Sequence, residues 1–194
     1  MSTTTTVTTV AADTAASPAS PASPASPASA FRIRFIDAPD FWKVSLIAPA
    51  IEYVTNSIWS HTEIGTAEGT WIGARATGGV EERAADYCQP TRERRYEIPV
   101  TARQDAAIMS FACGKIGTPY NFEDIAGLFL HDREMAGRDR LICSMFALEC
   151  AMAGGLEMLN VLSGYQQLVT PEMLHLSPLL IGRCVYSLPM PSAP

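Results

Sequence analysis

The chemistry open to this sequence depends on its cysteines and histidines, the residue types best suited to nucleophilic and acid–base catalysis. The chain has five cysteines and three histidines among 194 residues. Cys143 follows a polar loop that ends in Arg140, and it opens an apolar stretch, residues 141–155, that is predicted to form a helix closed by glycines. A thiol at a helix N-terminus lies near the positive end of the helix dipole and near free backbone N–H groups, which should lower its pKa from about 8.5. Cys143 is therefore the candidate nucleophile.

The other cysteines lie in less promising places. Cys113 and Cys150 fall inside predicted helices, Cys184 falls in an apolar strand and Cys88 in a loop. The number of cysteines is odd and no CxxC spacing occurs, so neither a complete disulfide framework nor a zinc knuckle is indicated. We expect reduced thiols, no metal and no other cofactor.

Among the histidines, His61 is the best candidate for a general base. It falls in a predicted strand, on the same face as Trp59 and Glu63 if side chains alternate. His131 in a charged loop and His175 between leucines are more simply explained as solvated or packed residues. His61 could also be an ordinary structural histidine. Only its possible pairing with a cysteine at a helix N-terminus makes it a candidate for the base.

Alternating residue types predict the strands that would position these groups. The sequence FRIRFI at residues 31–36 alternates large apolar with basic residues, as in a half-buried strand. Residues 57–64 and 70–77 are predicted to form a β-hairpin around a turn at 65–69. A further turn is expected at residues 78–80 and another strand at 94–100.

Helices are predicted mostly in the second half of the chain. One begins at a cap on Thr101 and runs to about Lys115, and the helix of Cys143 follows later. The remaining expected elements are helical pieces at residues 41–56 and 122–130, a short helix after residue 171, and a last strand near 182–188. Strands before residue 100 and helices after it indicate an α+β fold, with an antiparallel sheet packed against helices.

The composition of the first 30 residues sets them apart from the rest. They are almost wholly Thr, Ala, Ser and Pro, and a Pro-Ala-Ser triplet recurs through residues 18–29. Such a segment has too little apolar surface to offset the roughly 1–2 kcal/mol per residue that ordering costs. We expect residues 1–30 to be a disordered tether, residues 31–188 to form one domain, and residues 189–194 to be a flexible tail.

Charge and hydropathy exclude several classes of function. The net charge is −6, and the basic residues form no block beyond TRERR at residues 91–95, so nucleic acid is not an expected partner. No export signal precedes residue 31 and no uninterrupted apolar run of about 18 residues occurs, so no transmembrane segment is expected. The default location is cytoplasmic, with a non-classical export route or release by lysis as alternatives.

Four segments occur in an order that resembles a known family. They are SHTEIG at residues 60–65, GTPYNFEDI at 117–125, LICSMFALE at 141–149 and VTPEMLHLSP at 169–178. Together they resemble the circularly permuted NlpC/P60 (papain-like) cysteine hydrolases of the YiiX-like group, over about residues 31–188. The resemblance implies that Cys143 is the nucleophile, that His61 is the base, and that Tyr120 is an auxiliary residue near the site.

The sequence departs from that family at the third residue of the catalytic triad, which orients the histidine. Members of the family usually carry a polar residue, often Glu, on the strand after the histidine. A hairpin folded about residue 67 would set His61 opposite Gly73, which leaves that position empty. Either Glu63 orients the imidazole from the histidine's own strand or the site is a dyad. Glu63 would lie roughly 6.5 Å along the strand, so its side chain would have to bend back, and an exposed strand glutamate is the alternative.

The resemblance predicts a cysteine peptidase or amidase that works through an acyl-enzyme. It suggests amide or peptide bonds of the bacterial cell wall as substrates, although acyl chains are also handled by relatives of this fold. An acyltransferase or thioesterase on the same scaffold is one alternative. A non-catalytic binding domain without its third triad residue is the other.

Overall fold

The computed structural model describes residues 29–37, 57–121, 141–161 and 165–188. The tether expected at residues 1–30 lies outside this part except for its last two residues. The helical pieces expected at 41–56 and 122–130 and the tail expected at 189–194 lie outside it altogether. The described residues contain one six-stranded sheet with strand order β4-β3-β2-β1-β5-β6, in which every neighbouring pair is antiparallel. The strands are β1 (Ala30–Ile36), β2 (His61–Gly65), β3 (Trp71–Arg75), β4 (Gly79–Arg83), β5 (Glu93–Pro99) and β6 (Cys184–Ser187).

The helices follow the strands, as the sequence predicted, apart from the final edge strand β6. They are α1 (Ala102–Gly114), α2 (Cys143–Ala153) and α3 (Pro171–His175), with 3-10 turns at Gln166–Leu168 and Pro178–Leu180. The predicted cap of α1 is confirmed as a capping box. The Thr101 hydroxyl accepts from the Gln104 N–H at 3.3 Å, and the Gln104 side chain accepts from the Thr101 N–H at 3.1 Å. The α+β class is therefore confirmed.

The sheet has two unlike faces, both of them largely closed to solvent. Alternation along β1 sends Phe31, Ile33 and Phe35 to one face and Arg34 to the other, and all four side chains are buried. We call the first the apolar face; it carries Phe31, Ile33, Phe35, Ile64, Ile72, Ala74, Val80, Tyr96 and Ile98. We call the second the charged face; it carries Arg34, Glu63, Arg75, Glu93 and Arg95.

The helices α1 and α2 pack against the apolar face, and specific contacts fix α2 at both ends. At its C-terminus a Cβ on Gly154 would lie 2.5 Å from Ile108 Cγ1, so the two helices approach as closely as glycine allows. The Gln104 amide also donates to the Gly154 carbonyl at 3.0 Å. At its N-terminus the buried Ser144 hydroxyl donates to the Val169 carbonyl at 2.5 Å. The first residue of α2 is thereby held at a defined place against the sheet.

One strand was not anticipated. Residues 78–80 were expected to form only a turn, whereas β4 starts at Gly79 and pairs along its length with β3. Its sequence, GVEER, puts charged residues at positions that are partly buried or exposed, because β4 is an edge strand. Charges on an edge strand discourage pairing with other chains, and they also hide the apolar alternation by which strands are detected.

No helix in the ranges described above is long and apolar enough to cross a membrane.

Candidate active site

Cys143 is the first residue of α2, as the sequence predicted. Ile142 forms the N-cap with extended backbone angles and makes no side-chain capping hydrogen bond. The thiol is 3% exposed, and its sulfur accepts hydrogen bonds from the backbone N–H groups of Thr62 and Ser144. The helix N-terminus therefore touches the strand that carries His61.

The Thr62 amide is available to the sulfur because β3 leaves β2 at this point. Amides of alternate residues along β2 face β3: Thr66 N–H donates to the Thr70 carbonyl at 3.0 Å, and Ile64 pairs with Ile72. Thr62 is the next in this row, and the β2–β3 register does not extend to it. The Cys143 sulfur interacts with this amide, just beyond the end of the β2–β3 pairing.

The environment of the thiol contradicts the expected direction of its pKa shift. Burial raises the pKa of Cys143 to about 11, and the hydrogen bonds from Thr62 and Ser144 and the charge of Arg75 only partly oppose this effect. The prediction that the helix N-terminus would lower this pKa is therefore wrong, because desolvation of the thiolate outweighs the local dipoles. Near neutral pH the group is a thiol.

His61 opens β2, and its side chain belongs to the charged face. The Ser60 N–H donates to the Ile36 carbonyl at 3.2 Å, while Ile36 pairs with His61. Ser60 and His61 thus both lie opposite Ile36, which is a β-bulge. A bulge changes the direction in which the neighbouring side chains point. Trp59 contacts Phe35 on the apolar face. The expectation that Trp59 and His61 share a face is therefore wrong, because the bulge resets the alternation.

Glu63 lies beside His61 and is fully buried rather than exposed. Its side chain bends back along the strand, so that its Oε1 lies 3.1 Å from the His61 Nε2. The register also differs from the predicted one by two residues, since Ile64 pairs with Ile72 and Glu63 falls beside Gly73. A Cβ on Gly73 would lie 2.7 Å from the Glu63 Cγ. The glycine therefore leaves room for the carboxylate instead of leaving an empty triad position.

The Glu63 carboxylate is surrounded by hydrogen-bond donors. Its Oε2 accepts from Arg34 Nε at 2.8 Å and Nη2 at 2.6 Å. Its Oε1 accepts from Arg75 Nη2 at 3.1 Å and from the Tyr87 hydroxyl at 2.7 Å. Burial alone would raise the pKa of Glu63, but the hydrogen bond with His61 and the charges of Arg75 and Arg34 outweigh it and hold that pKa well below its usual range. Glu63 is ionised and can only accept.

This carboxylate fixes the protonation pattern of the imidazole. Burial lowers the pKa of His61 to about 4, despite the opposing hydrogen bond with Glu63, so the ring is neutral near pH 7. Because Glu63 can only accept, the Nε2 of His61 carries the proton and donates it. The Nδ1 of the ring then has a free lone pair, as a general base requires.

Cys143 and His61 are close, but they are not directly bonded. The sulfur of Cys143 interacts with the backbone N–H of Thr62, the residue that follows His61. Within the described part of the chain, no hydrogen bond joins this sulfur to the imidazole. The structure thus brings Cys143, His61 and Glu63 into one neighbourhood, with His61 and Glu63 in contact and Cys143 on the adjacent backbone.

Tyr120 lies next to the segment that enters α2. It forms a parallel bridge with Leu141, and the neighbouring Asn121 N–H donates to the Leu141 carbonyl at 3.1 Å. The Tyr120 side chain is buried. Its bridge partner Leu141 lies two residues before the start of the helix, and an auxiliary role for Tyr120 stays a prediction.

Sequence reasoning missed three of the residues around Glu63, namely Arg34, Arg75 and Tyr87. One signal was present, since FRIRFI carries an arginine at two positions, 32 and 34, that face away from the apolar core. The two buried arginines on this face, Arg34 and Arg75, require a buried carboxylate between them. Assigning that carboxylate needed the register of three strands, which the sequence does not specify.

His175 has the packed environment expected of a structural histidine. Its Nε2 lies 2.9 Å from the Tyr96 hydroxyl, and its ring lies edge-on against Phe35. Among the described residues, no three His, Cys, Asp or Glu side chains are placed to hold a metal ion together. The Glu63 carboxylate is already engaged with arginine and tyrosine donors.

Comparison with known proteins found no matching family model and no matching curated sequence.

Proposed function

We propose that this chain is a cysteine hydrolase of the circularly permuted NlpC/P60 type, which cleaves amide or peptide bonds through an acyl-enzyme on Cys143. The observation that carries the proposal is the arrangement around Thr62. The sulfur at the start of α2 is hydrogen-bonded to the amide next to His61, and the far ring nitrogen of His61 is held by the buried Glu63 carboxylate. These contacts support the proposal, in which Cys143 is the nucleophile, His61 the base and Glu63 the residue that orients the imidazole.

The chemistry starts from a neutral thiol and a neutral imidazole. As the sulfur attacks the carbonyl carbon, its proton moves to Nδ1 of His61 and the carbonyl electron pair moves to oxygen. As the first helical residue, Cys143 has an N–H without an intrahelical acceptor, and in the proposed mechanism this group stabilises the oxyanion. Because both partners begin uncharged, proton transfer accompanies the attack instead of preceding it.

The second half of the cycle returns the enzyme to its starting state. When the tetrahedral intermediate collapses, the C–N bond breaks and the imidazolium gives its proton to the leaving amine. Water then attacks the thioester, its proton goes to Nδ1, and the C–S bond breaks to release the acid. The sulfur recovers its proton from His61. The Nε2 hydrogen bond to Glu63 persists throughout, and the movement that the mechanism requires is the approach of Nδ1 to the sulfur.

A non-catalytic binding domain is the second candidate, because two observations favour it. Burial raises the pKa of Cys143 to about 11, and the thiol and imidazole are not hydrogen-bonded to each other. An acyltransferase or thioesterase would use the same residues, so only the products separate it from a hydrolase.

The experiment is turnover of chromogenic substrates by the full-length protein, with a panel of peptide anilides, cell-wall peptides and acyl esters. We expect Cys143→Ala to lower kcat/KM at least about a thousandfold, because the acyl acceptor is removed. Cys113→Ser on the exposed side of α1 is the matched control and should retain activity. Adding an amine acceptor and identifying the products distinguishes transfer from hydrolysis.

Turnover that survives in Cys143→Ala would contradict the proposal. Absence of both turnover and a covalent acyl adduct across the panel would favour the binding domain. Adducts are located by mass spectrometry, because the exposed thiols of Cys113 and Cys184 react with simple alkylating reagents as well.

A further inference from the structure

Tyr87 is the least obvious member of the cluster around Glu63. It lies in the loop between β4 and β5, after a turn in which its N–H donates to the Ala84 carbonyl at 3.3 Å. The ring is partly buried and its hydroxyl donates to the Glu63 Oε1 at 2.7 Å. The same oxygen receives the Nε2–H of His61.

The ring of Tyr87 also packs on both arginines that neutralise Glu63. The Arg75 guanidinium carbon lies 4.2 Å from the centre of the ring, and that of Arg34 lies 5.2 Å from it. Such cation–π contacts hold the arginines against the phenol ring. Tyr87 therefore closes the cluster from the solvent side and adds no charge to it.

Glu63 is clamped between Tyr87 and the backbone of β3. Gly73 lies so close to Glu63 that a Cβ there would approach its Cγ to 2.7 Å and its Oε1 to 3.1 Å. On the other side stands the Tyr87 hydroxyl, whose contact with Oε1 is shorter than those from His61 and Arg75. Tyr87 thus acts together with Arg34 and Arg75 in fixing the direction in which Oε1 presents its lone pairs to His61.

We infer that Tyr87 is a positioning residue which, by holding the Glu63 carboxylate, keeps the proton of His61 on Nε2 and leaves Nδ1 free to act as the base. The inference rests on the proposed function, because only a catalytic His61 needs a fixed tautomer. If the ring carried its proton on Nδ1 instead, the Nε2 lone pair would face a carboxylate lone pair, so the order of the cluster and the tautomer depend on each other.

The experiment compares Tyr87→Phe with Tyr186→Phe in the full-length chain. Both substitutions remove one hydroxyl and keep the ring, and Tyr186 lies on edge strand β6 with its ring against Arg95. Two-bond nitrogen–proton correlations of protein labelled with nitrogen-15 in histidine report which nitrogen of His61 carries the proton. The assignment comes from the signal that is lost in His61→Gln.

In Tyr87→Phe we expect a measurable Nδ1–H population in His61 and a fall in kcat of about tenfold at nearly constant KM. The wild type and Tyr186→Phe should keep the Nε2–H form. A Tyr87→Phe protein that is folded and has the wild-type tautomer would overturn the inference, because a merely structural tyrosine could be removed in this way.

The inference about the His61 tautomer and the proposed hydrolase activity can each be wrong independently of the other. If Tyr87→Phe changes the tautomer while Cys143→Ala loses no activity, Tyr87 still positions His61 and the proposed hydrolase is wrong. If Cys143→Ala is inactive while Tyr87→Phe has an unchanged tautomer and kcat, the hydrolase stands and the inference is wrong.

Discussion

The two faces of the sheet are both buried, but different interactions close them. On the apolar face, side chains such as Ile64 and Phe146 pack between strands and helices, and removal of apolar surface from water stabilises them. On the charged face, Arg34, Glu63 and Arg75 are each at most 2% exposed and rely on one another. A buried ion network is about break-even in stability compared with apolar packing. Under the proposed function, the network serves to hold His61 in place.

The largest effect is expected when the charge at the centre of the charged face is removed. Glu63→Gln removes the carboxylate charge that both buried arginines share and leaves Arg34 with Glu93, which should lower the free energy of unfolding by about 3–5 kcal/mol at pH 7. Urea unfolding of both proteins measures this decrease in the free energy of unfolding. The matched control is Glu97→Gln, since Glu97 pairs with Arg32 at 3.1 Å on a partly exposed part of the same face. That pair should contribute less than about 1 kcal/mol.

An equal, small loss in both glutamine variants would remove the distinction between the buried network and a partly exposed ion pair of the same face. The network would then be no more than a solvated surface pair in energetic terms.

The pH dependence of stability gives a second, somewhat smaller effect. The pKa of His61 is lowered to about 4 by burial, whereas an unfolded chain titrates near 6.5, so the unfolded state binds more protons between these values. The contribution of His61 is therefore complete above about pH 6.5 and is lost as the pH falls toward 4, by about 3 kcal/mol in total. Urea unfolding at several pH values measures it.

His61→Gln should flatten this slope, because the titrating ring is gone. Burial also lowers the pKa of His175, so that ring adds a loss of the same sign, and His175→Gln should leave the His61 part in place. An unchanged slope in His61→Gln would show that His61 is not buried as a neutral ring.

The smallest effect is expected at the contact between Gly73 of β3 and the side chain of Glu63. Gly73→Ala places a methyl group against the Glu63 Cγ, and overpacking of this kind costs about 1–3 kcal/mol. Because Glu63 must move, the nitrogen-15 signals of His61 should change as well. Gly114→Ala is the control, since a Cβ there has open space around it. His61 signals that stay at their wild-type positions would mean that β3 shifts and Glu63 does not.

The elements that carry these faces were largely predictable, because their signals are local. The capping box at Thr101 and the alternation of FRIRFI depend on neighbouring residues, and both appear where the sequence placed them. Strand β4 was missed because charged residues on an edge strand do not alternate with apolar ones. Cys143 at a helix N-terminus was predicted for the same reason as the cap, since a polar loop and an apolar helix meet there.

The details of the candidate site could not be predicted, because they depend on distant parts of the chain. A β-bulge before His61 reverses the faces, and a two-residue difference in register puts Gly73 beside Glu63. The sign of the thiol pKa depends on how deeply Cys143 is buried, which only the packing of α2 against the sheet determines. Helix dipoles are local and could be anticipated; desolvation is a tertiary property and could not.

The hydrogen bond from the Thr62 amide to the Cys143 sulfur makes one backbone proton a gauge of the state of that sulfur. A thiolate attracts this proton more strongly than a thiol does, and a sulfur in a thioester or an alkylated side chain attracts it less. The rate at which this proton exchanges with deuterium oxide should therefore change when the cysteine is ionised, acylated or alkylated. A single amide in the middle of a sheet can thus report acylation and its reversal without a label on the substrate.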